Sequence, residues 1–164
     1  MNQLAHPAIS GPFHIYVDGS YDPALKRGGW AFAVVDGDAI IETRSGRCDV
    51  TSNNTIELLA ALQASEWAVA EAAAQQVIIW TDSRHVFEGC DRWRHIWKNN
   101  GWRRYSPNPR SRNRALVDAP LWKRLSDCLE THQSLRVEWC KGHDGNAGNE
   151  RADALANAAR DAGA

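Results

Sequence analysis

Three extended stretches joined by tight turns, followed at once by a long helical run, leave this chain few folds to choose from. Phe13, Ile15 and Val17 alternate with His14, Tyr16 and Asp18, the two-residue period of a strand with one buried face. Gly29 to Val35 reads as a second strand, ended by Asp36-Gly37-Asp38, a strong hairpin signal. Ala39 to Arg47 supplies the third, and connections this short imply an antiparallel meander. From Thr51 the period changes, and an Ala- and Leu-rich run to about Ala74 places Ile56, Leu59, Leu62 and Val69 on or near one helical face. Val77 to Trp80 is a short continuous apolar run, the pattern of a strand covered on both sides. Thr81-Asp82-Ser83 ends it and caps a helix through Glu88. Residues 91–100 read as helix, 103–118 as an extended polar loop, and Leu121 to Leu129 as helix again. Leu135, Val137 and Trp139 alternate as a fifth strand. A last helix, capped by Asn149, carries Ala152, Leu155, Ala156 and Ala159 on one side. The order β-β-β-α-β-α-α-β-α predicts a mixed sheet with helices packed on it.

A chain of 164 residues suits one domain with a core of its own. Residues 1–12 read as a short flexible lead ending in Ser10-Gly11-Pro12, and 13–160 as the single domain. The net charge of −1 hides an asymmetry: residues 92–114 hold eight Arg or Lys and no Asp or Glu, while the rest of the chain balances to −9. A basic arm on an acidic body points to a polyanion partner. Cys48, Cys90, Cys128 and Cys140 include no C-x-x-C pair, which argues against a zinc knuckle or a thioredoxin-type redox site. With neither a signal peptide nor a membrane span in view, a reduced, cytoplasmic, monomeric protein is expected.

Four carboxylates carry the chemistry, though each has a structural role available to it. Asp18 sits where the first strand meets Gly19-Ser20, a place for a turn residue. Glu57 lies three residues after Asn54, the spacing of a capping box. Asp82 stands where a helix cap belongs, and Asp153 on the last helix reads as a surface acid. Taken together they suggest more. Neighbouring strands lie about 5 Å apart, so if strands one and four pair, Asp18 and Asp82 converge, and acids from two packed helices complete the cluster. Buried carboxylates repel one another and are desolvated, so such a cluster calls for cations. Hard oxygen donors favour Mg²⁺, with Mn²⁺ as substitute. Two such ions about 3.5–4 Å apart are the apparatus of phosphodiester hydrolysis.

Four stretches carry a resemblance: Tyr16-Val17-Asp18-Gly19-Ser20, Thr51-Ser52-Asn53-Asn54-Thr55-Ile56-Glu57-Leu58, Trp80-Thr81-Asp82-Ser83, and Lys141-Gly142-His143-Asp144-Gly145 with Asn149-Glu150-Arg151-Ala152-Asp153. In this order and spacing the chain resembles ribonuclease HI of the bacterial type, with Trp93-x-x-x-Trp97-Lys98 and Gly101-Trp102 similar to that family's basic protrusion, here about 91–118. The resemblance implies a ribonuclease H-like α/β fold, its five-stranded sheet built of three antiparallel then two parallel strands with helices on both faces. It implies endonucleolytic cleavage of the RNA strand of RNA/DNA hybrids, giving 5′-phosphate and 3′-hydroxyl ends. Asp18, Glu57, Asp82 and Asp153 become the metal-binding quartet, and His143 assists proton transfer or product departure. Ser52, Asn53, Asn54, Trp93, Lys98, Trp102, Arg103 and Arg104 fall to the substrate. Asn53 and Asn54 face the RNA strand, Ser52 lies near a DNA phosphate, and Trp93 meets the DNA strand. Trp97 and Trp102 also hold the arm together.

Several positions depart from that pattern. Ala24 stands where an amide is often used, Thr55 where a basic residue is common, and His85 where an aromatic is usual. The loop 103–118 is longer than typical. Asp144 beside His143 favours the imidazolium and a raised His143 pKa. Two other readings share these motifs: a transposase-, integrase- or resolvase-like DNA nuclease on the same fold, and a hybrid-binding module without turnover.

Overall fold

The computed structural model describes residues 11–104, 106–108, 110, 115–142 and 145–162. Among these, β1 (Phe13–Asp22), β2 (Arg27–Asp36) and β3 (Ala39–Asp49) form the antiparallel meander, and α1 (Asn53–Glu71) follows. Then come β4 (Val77–Thr81), α2 (Arg84–Glu88), a π-helical turn (Gly89–Trp93), α3 (Arg94–Asn99), α4 (Ala119–Thr131), β5 (Leu135–Trp139) and α5 (Ala147–Asp161). The sheet order is β3-β2-β1-β4-β5, with β1 and β4 parallel and β4 and β5 parallel. This is the expected five-stranded mixed sheet.

Two faces of the sheet are packed differently. On one, Ile15, Val17, Phe32, Val34, Val77 and Ile79 meet Leu58, Leu62 and Trp67 of α1 and Trp122 and Leu125 of α4 in one apolar core. On the other, α5 lies close against β1 and β2, bringing buried Ala152, Ala156 and Ala159 towards buried Ala31 and Ala33. Small residues on both sides allow this approach. A Cβ at Gly29 would run into the backbone carbonyl of Ala156 and the backbone N–H of Arg160.

The element ends show where tertiary packing overrides local signals. β1 continues past Asp18 to Asp22, because Ser20 and Asp22 pair with Gly29 and Arg27. The turn-forming carboxylate is therefore Asp22, whose Oδ1 accepts from the N–H groups of Ala24 (2.9 Å) and Leu25 (3.2 Å). Helix α1 begins with Ser52 as cap, accepting from Thr55 N–H, which leaves Glu57 outside any capping box. Ser83 and not Asp82 caps α2, and Asn146 and not Asn149 caps α5. The first helix stops at Glu71 despite Ala72-Ala73-Ala74, since the buried His132 Nε2 lies 2.8 Å from the carbonyl oxygen of Ala72 and the chain turns there towards β4. All four cysteines are free, and no helix among the described residues is long and apolar enough to cross a membrane.

Gly29→Ala is expected to lower stability by about 2 kcal/mol or more, because the obstructing atoms are backbone and cannot rotate away. Urea midpoints test this against Gly11→Ala, whose added Cβ meets nothing within 4 Å. Equal midpoints for the two variants would contradict the close-approach account of α5.

Candidate active site

Parallel pairing sets the first two carboxylates side by side. Tyr16 pairs with Trp80, so Asp18 and Asp82 each lie two residues beyond the same rung. Glu57 arrives from α1, whose first turn comes so near β1 that a Cβ on Gly19 would sit 2.9 Å from the backbone nitrogen of Glu57. Gly19 thus lets the helix approach, and its N–H donates to Asp18 Oδ1 at 3.0 Å. Ligand oxygens of Asp18, Glu57 and Asp82 lie within 4.8 Å of one another. Asp153, half-buried on α5, brings its carboxyl up to that of Asp18 and raises the Asp18 pKa. The four acids are therefore gathered from β1, α1, the end of β4 and α5.

The electrostatics are those of a cluster awaiting positive charge. Burial first, then the neighbouring Asp153 carboxyl and the Asp82 charge, pushes the Asp18 carboxyl up from 3.8 to about 8. Glu57 is raised well above the usual carboxylate range by burial and then by the charges of Asp18 and Asp82. Its Oε2 is buried without a hydrogen-bond partner among the described residues. Opposite, Gly142 leaves room beside Asp82, for a Cβ there would lie 2.7 Å from Asp82 Oδ2. An orphaned carboxylate oxygen, a hard all-oxygen donor set and a glycine-lined opening fit a divalent cation.

Around this cluster the other residues singled out by sequence take distinct places. Asn53 and Asn54 are exposed on the first turn of α1, four and three residues before Glu57 and so on the same helical side. Ser52 is turned inward as the cap, with its hydroxyl 2.9 Å from that of Thr55. Trp93, 36% exposed, stacks on Trp97 at 6.3 Å, and Trp97 meets the buried Trp122 at 5.1 Å, tying the arm to the core. Trp102 is half-buried with φ +61, its N–H donating to the carbonyl of Trp97 at 2.7 Å. Lys98 pairs with Glu130 of α4 at 2.5 Å, while Arg103 and Arg104 are exposed. His85, exposed and set edge-on to Trp122, lines a groove of about 420 Å³ with Trp93, Ile96, Trp97, Arg104 and Leu116. His143, Asp144, Tyr105, Arg112 and Arg114 lie outside the described residues. The sequence reading missed Gly19, Gly142 and Asp118, because a close approach between elements distant in the chain leaves no local mark.

A meander extended by two parallel strands, helices on both faces and carboxylates converging at one end of the sheet define the ribonuclease H-like class of folds. Comparison with known proteins agrees. The family model described as RNase H matches residues 11–161. A ribonuclease H of Nitrobacter hamburgensis is 40% identical over 156 residues, covering 95% of this chain and 93% of its own length. One from Alcanivorax borkumensis is 38% identical over 143 residues, with 87% of each chain covered. Among solved structures, LC9-RNase H1, a type 1 RNase H with the type 2 active-site motif, matches with a TM-score of 0.68 at 26% identity, covering 93% of this chain and 74% of that one. The foamy viral protease-reverse transcriptase in complex with RNA/DNA hybrid shares the fold at a TM-score of 0.76 and 20% identity, over 98% of this chain and 21% of that protein. The chain belongs to the RNase H family and is an enzyme of that family.

The raised carboxyls give stability a sign with pH. A folded acid whose pKa exceeds its unfolded value binds extra protons between the two, so stability is lost as pH rises through that window. For Asp18 the window runs from 3.8 to about 8. In EDTA, the melting temperature of the parent chain is expected to fall relative to Asp18→Asn as pH rises from 4 to 8, and Mg²⁺ is expected to recover it most at the upper end. Parallel melting profiles for the two chains would contradict this.

Proposed function

We propose that the protein hydrolyses the RNA strand of RNA/DNA hybrids endonucleolytically, leaving 5′-phosphate and 3′-hydroxyl ends, with Asp18, Glu57, Asp82 and Asp153 holding two divalent cations, Mg²⁺ or Mn²⁺. The observation that carries this reading is the convergence of the Asp18, Glu57 and Asp82 oxygens within 4.8 Å. Bound there, two such cations supply positive charge at both the attacking and the departing oxygen of an in-line displacement. The chain's own residues account for the rest. Asp18 and Glu57, desolvated and crowded by like charge, give up the protons they hold when cations take their place. Asp153 approaches from the opposite face of the sheet and completes the oxygen set.

Substrate choice follows from what flanks the cluster. Asn53 and Asn54 stand one helical turn from Glu57, and each amide both donates and accepts, as a ribose 2′-hydroxyl requires. A strand lying across that turn presents its phosphates to the carboxylates, so the strand carrying 2′-hydroxyls is the one cut. The arm takes the other strand: Trp93 and Trp102 supply aromatic surface, and Arg103 and Arg104, with Lys98 exchanging Glu130 for phosphate, supply phosphate contacts. Ser52 sits at the border of the DNA side. His143, by the family resemblance, assists proton transfer or product departure. The working unit in this reading is one domain over 13–160, monomeric and cytoplasmic.

Asp82→Asn tests the assignment with a strand-labelled hybrid. Turnover is expected to fall by more than about 100-fold, since outer-shell partners of a metal site alone cost 10–100-fold. Hybrid affinity is expected to stay within about threefold of the parent, because no phosphate contact is removed. Retained cleavage in this variant, or a duplex DNA cut as fast as the hybrid, would overturn the reading.

A further inference from the structure

Asp118 precedes α4 in a conformation that a non-glycine residue seldom keeps, with φ +60 and ψ +27. That left-handed geometry costs an ordinary residue roughly 1–2 kcal/mol, and only Gly, Asn and Asp visit it routinely. The usual return for an acid at a helix N-terminus is a capping hydrogen bond, and here there is none. The carboxylate reaches elsewhere: Thr55 Oγ1 donates to Asp118 Oδ2 at 2.8 Å, joining positions 63 residues apart in sequence. A left-handed backbone at Asp118 with a long-range contact in place of a cap marks a residue whose conformation the surroundings fix.

An ionised carboxylate only accepts, so the Thr55 hydroxyl spends its proton on Asp118. The short Ser52 Oγ to Thr55 Oγ1 contact, 2.9 Å, must then have Ser52 as donor. Ser52 in turn accepts from Thr55 N–H at 3.2 Å and so caps α1. The chain runs Ser52 to Thr55 to Asp118. It fixes the turn that bears Asn53 and Asn54 to the point where the loop 103–118 enters α4. It also commits the hydroxyl proton of Ser52 to Thr55.

We propose that Asp118 is a positioning residue for hybrid binding: through Thr55 and Ser52 it sets the first turn of α1 against the base of the basic loop, and so fixes the spacing between the elements that grip the two strands. Asp118 touches neither the substrate nor the cations in this account. The proposal rests on the hybrid-cleaving reading above and adds to it a role for Thr55, which the hydrogen bond to Asp118 ties to the start of α4.

The test compares two variants that both accommodate a positive φ and both lack the charge. Asp118→Asn keeps a side-chain oxygen to accept from Thr55, and Asp118→Gly removes it. The KM for a defined hybrid is expected to be about fivefold higher for Asp118→Gly than for Asp118→Asn, the scale of one lost hydrogen bond. Both variants are expected to share one kcat. Thr55→Val, which deletes the same hydrogen bond from its other end, is expected to raise KM similarly and to add nothing to Asp118→Gly, as for two residues acting through one contact. Equal KM values for the Asn and Gly variants, additive effects of Thr55→Val and Asp118→Gly, or a fall in kcat in place of the rise in KM would each overturn the proposal while leaving the hybrid reading intact. Failure of the unsubstituted chain to cleave the hybrid would overturn both.

Discussion

Parallel pairing between β1 and β4 runs for only four rungs, Phe13–Tyr16 against Val77–Trp80, and the rest of the site is arranged around its end. Two residues past the last rung, each strand carries an aspartate. The apolar side chains of those same strands, Ile15, Val17, Val77 and Ile79, lie in the core beneath α1 and α4. Packing thus fixes the register, and the register fixes the acids. Placing like charges together in a partly buried pocket opposes folding, since each buried carboxylate loses hydration and repels its neighbours. The raised Asp18 and Glu57 carboxyls record that opposition. In this account the core contributes the stability, and a cation relieves the strain at the point where charge is needed for chemistry.

The basic arm is less separate from the body than its composition suggests. Among its described cations, two turn towards α4: Arg94 donates to Cys90 O at 2.7 Å and contacts Ser126 Oγ at 3.3 Å, and Lys98 pairs with Glu130. The aromatic series Trp93, Trp97 and Trp122 continues the same attachment into the core. Gly89 permits it, as a Cβ at that position would strike the Trp122 ring. Arg92, Arg103, Arg104 and Arg110 remain exposed, and Arg92 lies 4.8 Å above the Trp93 ring. A surface that interleaves guanidinium groups with an exposed indole suits a nucleic-acid backbone, with affinity falling steeply as salt rises.

Much of this could be read from the sequence. The five strands stand close to where alternation and turn signals put them, because burial on one or both faces writes a period that loops cannot imitate. The four acids were legible as a group through spacing and family resemblance, although each alone suited a cap or turn. Caps were less legible. Asn54, Asp82 and Asn149 all had suitable side chains, yet Ser52, Ser83 and Asn146 took the role, since the choice among adjacent polar residues depends on which backbone direction the sheet imposes. Close approaches were not legible at all. Nothing local marks Gly19, Gly29 or Gly142 as places where another element's atoms come within contact distance, and the reach of Asp118 to Thr55 spans 63 residues.

The claim beneath the whole account is that the gathered carboxylates take up divalent cations in exchange for protons. Calorimetric titration of Mg²⁺ or Mn²⁺ into the protein at pH 7, repeated in buffers of different ionisation enthalpy, measures that exchange directly. The account expects saturable binding accompanied by net proton release, both lost when Asp18 and Glu57 are replaced by Asn and Gln. Binding whose heat is independent of the buffer, or no saturable binding at all, would contradict it.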